Sequence, residues 1–300
     1  MRRKASEGIM KIVYHLGAHG TEEELILRVL LRNRPTLAQH GVVVPAPSRY
    51  RPILHEAIRT LRGTRASPAM QEAMMDAILE EDAPQRIILS HENFLSTAVR
   101  SIGPGGLYPF AGQKPMHMAH LFPDIDCEFH LALRHPAALL MSMLQRLPGA
   151  SYEQMMEGVE PLQLRWAPML RQFVSAAAGR PVVLWCHEDA PLIWPEIIRR
   201  MAGIGPDVPI MGNAALLGRL LTREGMDWLN ARVAETPPAT IGERRDLVSQ
   251  ALMRFANPAE TEQQITFPGW TTELVEDLDD LYDDDVAEVA ALPGVEFIAP

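Results

Sequence analysis

Residues 11–25, KIVYHLGAHGTEEEL, decide the fold of this 300-residue chain. An apolar run reaches a glycine, a histidine and a threonine and then takes on a helical pattern, which is how phosphate-binding loops begin. Three glutamates, Glu22, Glu23 and Glu24, follow at once. A carboxylate about 5 Å from a phosphate charge costs roughly 3 kcal/mol at an effective dielectric constant near 20. The stretch therefore predicts a strand, a tight loop and a helix, but its charge opposes the anion that such loops hold.

Further apolar runs share the β-like character of residues 12–16. Residues 86–90, 128–134 and 181–186 are strong candidates, and residues 42–44 and 295–298 are weaker ones. Helical patterns separate most of these runs, and residues 103–106 and 110–115 form an irregular stretch. This arrangement is typical of strands covered on both faces in a parallel sheet. We therefore predict an α/β fold of three layers, with a central, mainly parallel sheet flanked by helices.

After residue 203 the chain is helical in pattern. Helices are predicted over residues 214–235, 241–256 and 273–292, with proline-containing breaks between them. The acidic run at residues 276–285 reads as a solvated helix face, and it lacks the oxygen spacing of a calcium loop. We predict a single domain over residues 11–300 with a helical C-terminal region from about residue 213. Residues 1–10 are predicted to be a disordered extension.

The composition narrows the class of protein. The net charge is −10 and no basic run follows the first four residues, which argues against binding to nucleic acid or to an anionic membrane surface. No apolar stretch is long enough to span a membrane. Cys127 and Cys186 lie in apolar runs, which indicates buried thiols in a reducing compartment. We expect a cytoplasmic protein without a metal site.

Two segments end in groups suited to acid–base chemistry. RIILSHENF ends a predicted strand with His91 and Glu92, and VVLWCHEDAPLIW ends another with Glu188 and Asp189. Carboxylates at strand ends are where α/β folds place such chemistry. The structural alternative for Glu92 is the first turn of a short helix, where the backbone dipole favours its charge. Asp189 is better explained as the cap of the following helix.

Two other segments contain groups suited to phosphate. FHLALRHPAALLMSML places Arg134 at the end of a strand and Ser142 two turns into the next helix. A guanidinium and a hydroxyl in that arrangement can be aimed at one phosphate. The alternative is an arginine paired with a surface carboxylate and a serine facing solvent. The loop after residue 16 contributes Gly17, His19 and Thr21.

Together these segments resemble the sulfotransferase family, in the order in which that family carries them and over about the first two-thirds of the chain. The resemblance implies a P-loop-like architecture. It also implies transfer of a sulfonate from 3′-phosphoadenosine 5′-phosphosulfate (PAPS) to a hydroxyl or amine of an unknown small-molecule or glycan acceptor. By the same resemblance, the catalytic base is Glu92 or His91, and the residues that bind the donor are Gly17, His19, Gly20, Thr21, Arg134 and Ser142.

The loop departs from the family pattern. Gly20 stands where the family has a lysine, and Glu22, Glu23 and Glu24 replace a Gly-Thr-Thr sequence. That lysine stabilises the charge on the departing oxygen, so its loss leaves two functions open. One is a working sulfotransferase, and the other is a non-catalytic binding or regulatory protein that has lost the donor site. A nucleoside-triphosphate hydrolase or kinase is disfavoured because the sequence has no Gly-Lys-Ser/Thr motif.

The acidic loop also has a purely structural interpretation. Thr21 and Glu24 fit a capping box, in which each side chain bonds to a free amide at the helix start. If the loop is instead a disabled phosphate site, Gly20→Lys combined with Glu22→Gly is expected to restore anion binding.

Overall fold

The computed structural model describes residues 10–80, 84–261 and 266–300. The extension predicted for residues 1–10 lies outside these ranges except for Met10, which packs against the core. Within the described residues, the strands are β1 (Lys11–His15), β2 (Val42–Val43), β3 (Arg86–Ser90), β4 (Ile102–Gly103), β5 (Gly106–Leu107), β6 (Asp126–Leu133), β7 (Val182–Cys186) and β8 (Val295–Phe297).

Helices connect the strands and form most of the C-terminal third. They are α1 (Glu23–Arg32), α2 (Arg34–Gln39), α3 (Pro47–Leu61), α4 (Pro68–Ile78), α5 (Lys114–Ala119), α6 (Pro136–Arg146), α7 (Tyr152–Met156), α8 (Ala167–Ala177), α9 (Ala190–Ala202), α10 (Leu217–Leu220), α11 (Arg223–Glu235), α12 (Ile241–Phe255), α13 (Pro258–Thr261) and α14 (Thr272–Ala290). In the part of the chain that the structure describes, none of the helices combines the length and apolar composition that a membrane span needs.

Six strands form one parallel sheet in the order β2-β3-β1-β6-β7-β8. β1 lies inside it, and His15 at its end is opposite Ser90 of β3 and His130 of β6. Continuous apolar runs form these strands because helices cover both faces of the sheet. The predicted α/β fold, with a parallel sheet and a helical C-terminal region, is confirmed.

The sheet separates two apolar cores. One face packs against α3, α4, α5, α6 and α8, and Tyr14 and Phe129 belong to this core. The other face packs against α1 and α9, and Val13 and Trp185 belong to that one. Val13 and Tyr14 are neighbours in different cores because successive residues of a strand point to opposite faces. Cys127 and Cys186 are free and buried, as predicted.

Two local predictions are wrong. Residues 103–106, predicted as irregular, contribute to an antiparallel hairpin formed by β4 and β5. The helix predicted over residues 214–235 is interrupted, because Leu221 forms an antiparallel bridge with Ala256. Thr222 then accepts a hydrogen bond from the Gly225 amide and caps α11. A residue that caps a new helix cannot continue the preceding one.

α14 carries the acidic run, but its face is not wholly solvated as predicted. Asp285 is buried and accepts a hydrogen bond from the backbone amide of Trp166 at 2.6 Å. Tyr282 donates to Glu188 at 2.9 Å. These contacts fix the last helix against the carboxyl ends of β6 and β7.

A buried ion network closes the opposite edge of the sheet. Glu128 of β6 has a side chain only 2% exposed and pairs with Arg86, with Arg200 at 2.9 Å and with Lys11 at 3.7 Å. It also bonds to His130 at 2.8 Å. Burial opposes ionisation of Glu128, but His130 and the arginines outweigh it and lower its pKa to about 2. Glu128 therefore balances cations supplied by β1, β3 and α9.

We expect Glu128→Gln to lower the free energy of unfolding by about 3–5 kcal/mol, because it leaves partly buried cations without their shared, buried carboxylate. The matched control is Glu296→Gln, which removes the second partner of Arg200 from an exposed position and should cost about 0–1 kcal/mol. Urea denaturation at neutral pH measures both. Equal losses in the two variants would contradict the assigned role of Glu128.

Candidate functional site

A cleft of about 1080 Å³ opens at the carboxyl edge of the sheet. The β1–α1 loop, α6 and the turn between β7 and α9 form its inner wall, and α10, α12 and α13 contribute to its outer side. In open α/β sheets, ligands bind outside the carboxyl ends of the strands. Among the described residues, five glutamates and four arginines line the cleft: Glu22, Glu23, Glu24, Glu188, Glu260, Arg28, Arg134, Arg146 and Arg219.

Gly20, Arg134 and Ser142 meet on one wall of this cleft. Arg134 is buried, and its Nη1 donates to the Gly20 carbonyl at 2.5 Å. Gly20 has a φ of 72°, and a Cβ atom there would lie 2.8 Å from Arg134 Nη1 and would overlap Ser142 Oγ. Both the backbone and the neighbours therefore require glycine. The expected restoration of anion binding by Gly20→Lys does not fit this packing.

Each of the three loop glutamates pairs with an arginine from a different helix. The pairs are Glu22 with Arg219 of α10, Glu23 with Arg146 of α6 at 2.7 Å, and Glu24 with Arg51 of α3 at 2.7 Å. Glu23 and Glu24 diverge because successive helical positions differ by about 100°, and Glu22 precedes the helix in a left-handed conformation. The protein thus neutralises its own acidic loop.

The Glu23 carboxylate lies inside the loop. Its side chain is 2% exposed, and Oε2 accepts a hydrogen bond from the Thr21 amide at 2.9 Å. Burial opposes ionisation of Glu23, but a hydrogen bond with Glu92 and the charge of Arg146 outweigh it and lower the pKa to about 2. The Glu23 carboxylate therefore occupies a backbone amide that a phosphate-binding loop would offer to its bound anion.

The predicted capping box of Thr21 and Glu24 is not formed. The Thr21 hydroxyl donates to the Ala18 carbonyl at 2.7 Å, so it is turned away from the helix. α1 begins at Glu23, and Glu22 occupies the N-cap in a left-handed conformation without a side-chain hydrogen bond to the amides of the helix. Glu23 is the glutamate whose side chain bonds back to the loop, at the Thr21 amide.

Glu92 and Glu23 form a carboxyl pair bridged by Arg146. Arg146 lies 2.5 Å from Glu92 and 2.7 Å from Glu23, so one guanidinium bridges the two carboxyl groups. Burial, together with the nearby Glu23 carboxyl group and its charge, raises the pKa of Glu92 to about 7, against the opposing effect of Arg146. Two carboxyl groups in contact hold one proton between them. Groups that titrate near neutral pH are suited to acid–base chemistry.

Both ring nitrogens of His19 are hydrogen-bonded to neighbouring side chains. Its Nδ1 lies 2.9 Å from the Tyr108 hydroxyl and its Nε2 lies 3.1 Å from Asn93 Oδ1. Because Asn93 Oδ1 accepts, Nε2 carries the proton and the Tyr108 hydroxyl donates to Nδ1. Burial lowers the pKa of His19, and it lowers that of His91 to about 4, so both are neutral at pH 7.

The remaining predicted residues have identifiable positions. The Gly17 carbonyl accepts from the Ala132 amide at 2.7 Å and ties the loop to β6. Asp189 occupies the N-cap of α9 but makes no side-chain capping bond. The described residues that line the cleft include no lysine, so none of them replaces the cation missing at Gly20.

The sequence motifs did not indicate the arginines that complete the site, Arg146 and Arg219. Arg146 was detectable, because it follows Ser142 by one helical turn and positions four apart share a helix face. Arg219 lies 197 residues from Glu22 and had no local signal.

No family model matches this chain, and no curated protein matches it.

We expect Gly20→Ala to destabilise the fold by about 1–3 kcal/mol more than Gly149→Ala, because the added methyl group must displace Ser142 and Arg134. Gly149 is the matched control, since its φ of 88° is also left-handed but nothing lies within 4 Å of an added Cβ. Urea denaturation of the two variants measures the difference. Similar losses would show that Gly20 is required by its backbone conformation alone.

Proposed function

We propose that this chain is a sulfotransferase-like protein that no longer uses PAPS and that binds a small ligand of low net charge in its cleft. The observation that carries the proposal is the Glu23 carboxylate, which accepts from the Thr21 amide and pairs with Arg146. A phosphosulfate at this loop would have to displace a buried anion that the protein itself supplies.

The charge balance of the cleft supports the same function. Five glutamates and four arginines line it, and Glu92 lies beside them, so the cleft offers no excess of positive charge. A nucleotide with two phosphate groups brings roughly three to four negative charges. Leu25, Met141, Leu216 and Leu220 add apolar surface to the wall. This lining suits a neutral or zwitterionic ligand with an apolar part.

We expect wild-type protein to bind 3′,5′-adenosine bisphosphate with a Kd weaker than about 1 mM in calorimetric titration. Glu23→Gln should strengthen binding at least roughly tenfold, because it removes an anion close to the loop amide and leaves Arg146 paired with Glu92 alone. Glu24→Gln is the matched control, since that carboxylate is half-exposed and pairs with Arg51 instead. Micromolar binding by wild-type protein would contradict the proposal.

A separate experiment tests whether the ligand is neutral or zwitterionic. Protein equilibrated with a mixture of small metabolites should retain neutral or zwitterionic compounds, detected by mass spectrometry after rapid desalting. Ala138→Trp places a large side chain in the cleft and should abolish retention. Retention of polyanions alone, or equal retention by Ala138→Trp, would refute the assignment of the cleft.

A second candidate function is sulfonate transfer from PAPS to a hydroxyl or amine. Two specific features favour it: the cluster of Gly20, Arg134 and Ser142, and the raised pKa of Glu92 at a strand end. In this case Glu92, or His91 as its alternative, removes the proton of the acceptor.

If transfer occurs, Glu92→Gln should lower turnover by about 10²–10⁴-fold with little change in donor affinity, because only the proton acceptor is lost. Arg134→Ala should instead weaken donor binding by about 1.5–3 kcal/mol, and Ser142→Ala by less. Release of the bisphosphate from PAPS, followed by chromatography, measures turnover. Full activity of Glu92→Gln would transfer the role to His91.

A further inference from the structure

The carboxyl pair of Glu23 and Glu92 joins separate elements of the fold. Glu23 begins α1, whereas Glu92 belongs to the 3-10 turn that follows β3. Arg146, at the end of α6, bridges them at 2.7 Å and 2.5 Å. A single guanidinium balances one carboxylate charge, so the second carboxyl group is best accommodated when protonated.

The other groups around the pair are already committed. His19 and Tyr108 bond to each other, and burial lowers the pKa of His19 and raises that of Tyr108, so both stay neutral near pH 7. Glu22 points away to Arg219, although burial raises its pKa as well. His91 and His187 are also neutral near pH 7, because burial lowers their pKa to about 4 and about 3, and Arg134 stays charged.

The two carboxyl groups that share Arg146 are therefore the place at this junction where the proton of Glu92 changes the balance of charge.

We propose that one proton shared by Glu23 and Glu92 fastens the end of β3 to the start of α1, and that its loss loosens the β1–α1 loop at the inner wall of the cleft. We call this contact the pH-controlled latch. It does not depend on whether the protein binds a neutral ligand or transfers a sulfonate. Below neutral pH, Glu92 donates a hydrogen bond to the Glu23 carboxylate. Above neutral pH, two carboxylates face each other and only Arg146 holds them together.

The direction of the pH dependence follows from the position of Glu92. Its pKa is about 7 in the closed loop and returns to its ordinary value near 4.5 in an open loop. Closure is therefore stabilised at low pH and loses that stabilisation as the pH rises through about 7. The opening equilibrium should rise about tenfold per pH unit towards pH 7 and stay level above it.

Amide hydrogen exchange of residues 19–23 and 91–94, followed by mass spectrometry from about pH 5.5 to about pH 8.5, measures this opening after correction for intrinsic rates. Glu92→Gln is the matched comparison, because its amide can donate to Glu23 at every pH. His19 and Glu22 titrate in both proteins, so the difference between the profiles isolates Glu92. We expect loop opening in wild-type protein to rise with pH as described. In Glu92→Gln, the part of that rise that comes from the titration of Glu92 should be absent.

Identical pH profiles in wild-type protein and Glu92→Gln would overturn the latch. A second measurement is independent of folding of the variant: carbon-13 NMR titration of the wild-type glutamate carboxyl groups. It should find one group with an apparent pKa near 7. Titration of every glutamate at or below its ordinary range would also overturn the proposal.

Discussion

The burial of the Glu23 carboxylate determines how the whole cleft is arranged. A buried charge needs a partner and hydrogen bonds, and Glu23 obtains them from Arg146 and the Thr21 amide. Arg146 is thereby held at the centre of the cleft, where it also reaches Glu92. The loop, the end of β3 and the end of α6 are thus fixed to one another through a single guanidinium.

The strands were predictable because their physical signal is local. A strand buried on both faces is a continuous apolar run, and the runs at residues 86–90 and 181–186 differ from the observed strands by at most one residue. The carboxyl edge of the sheet was equally predictable, since parallel strands end on the same side. Arg134, Ser142 and Gly20, which only the resemblance to sulfotransferases grouped in one site, lie in contact at this edge.

The rest of the site was not predictable, because competing partners decide it. Thr21 and Glu24 have the spacing of a capping box, yet Thr21 bonds to Ala18 and Glu24 pairs with Arg51 from α3. A sequence pattern shows which hydrogen-bond or ion-pair partner is close along the chain. It does not show which distant residue competes for the same group. The interruption at Leu221 has the same cause, since its partner Ala256 comes from the end of α12.

Gly20 limits which single substitutions the loop tolerates. Arg134 and Ser142 fill the space that any side chain at position 20 would need. A lone substitution there is therefore expected to destabilise the fold, whereas substitution together with changes at both neighbours is not subject to the same clash. Substitutions at the three positions should therefore have non-additive effects on stability, because the three residues share one space.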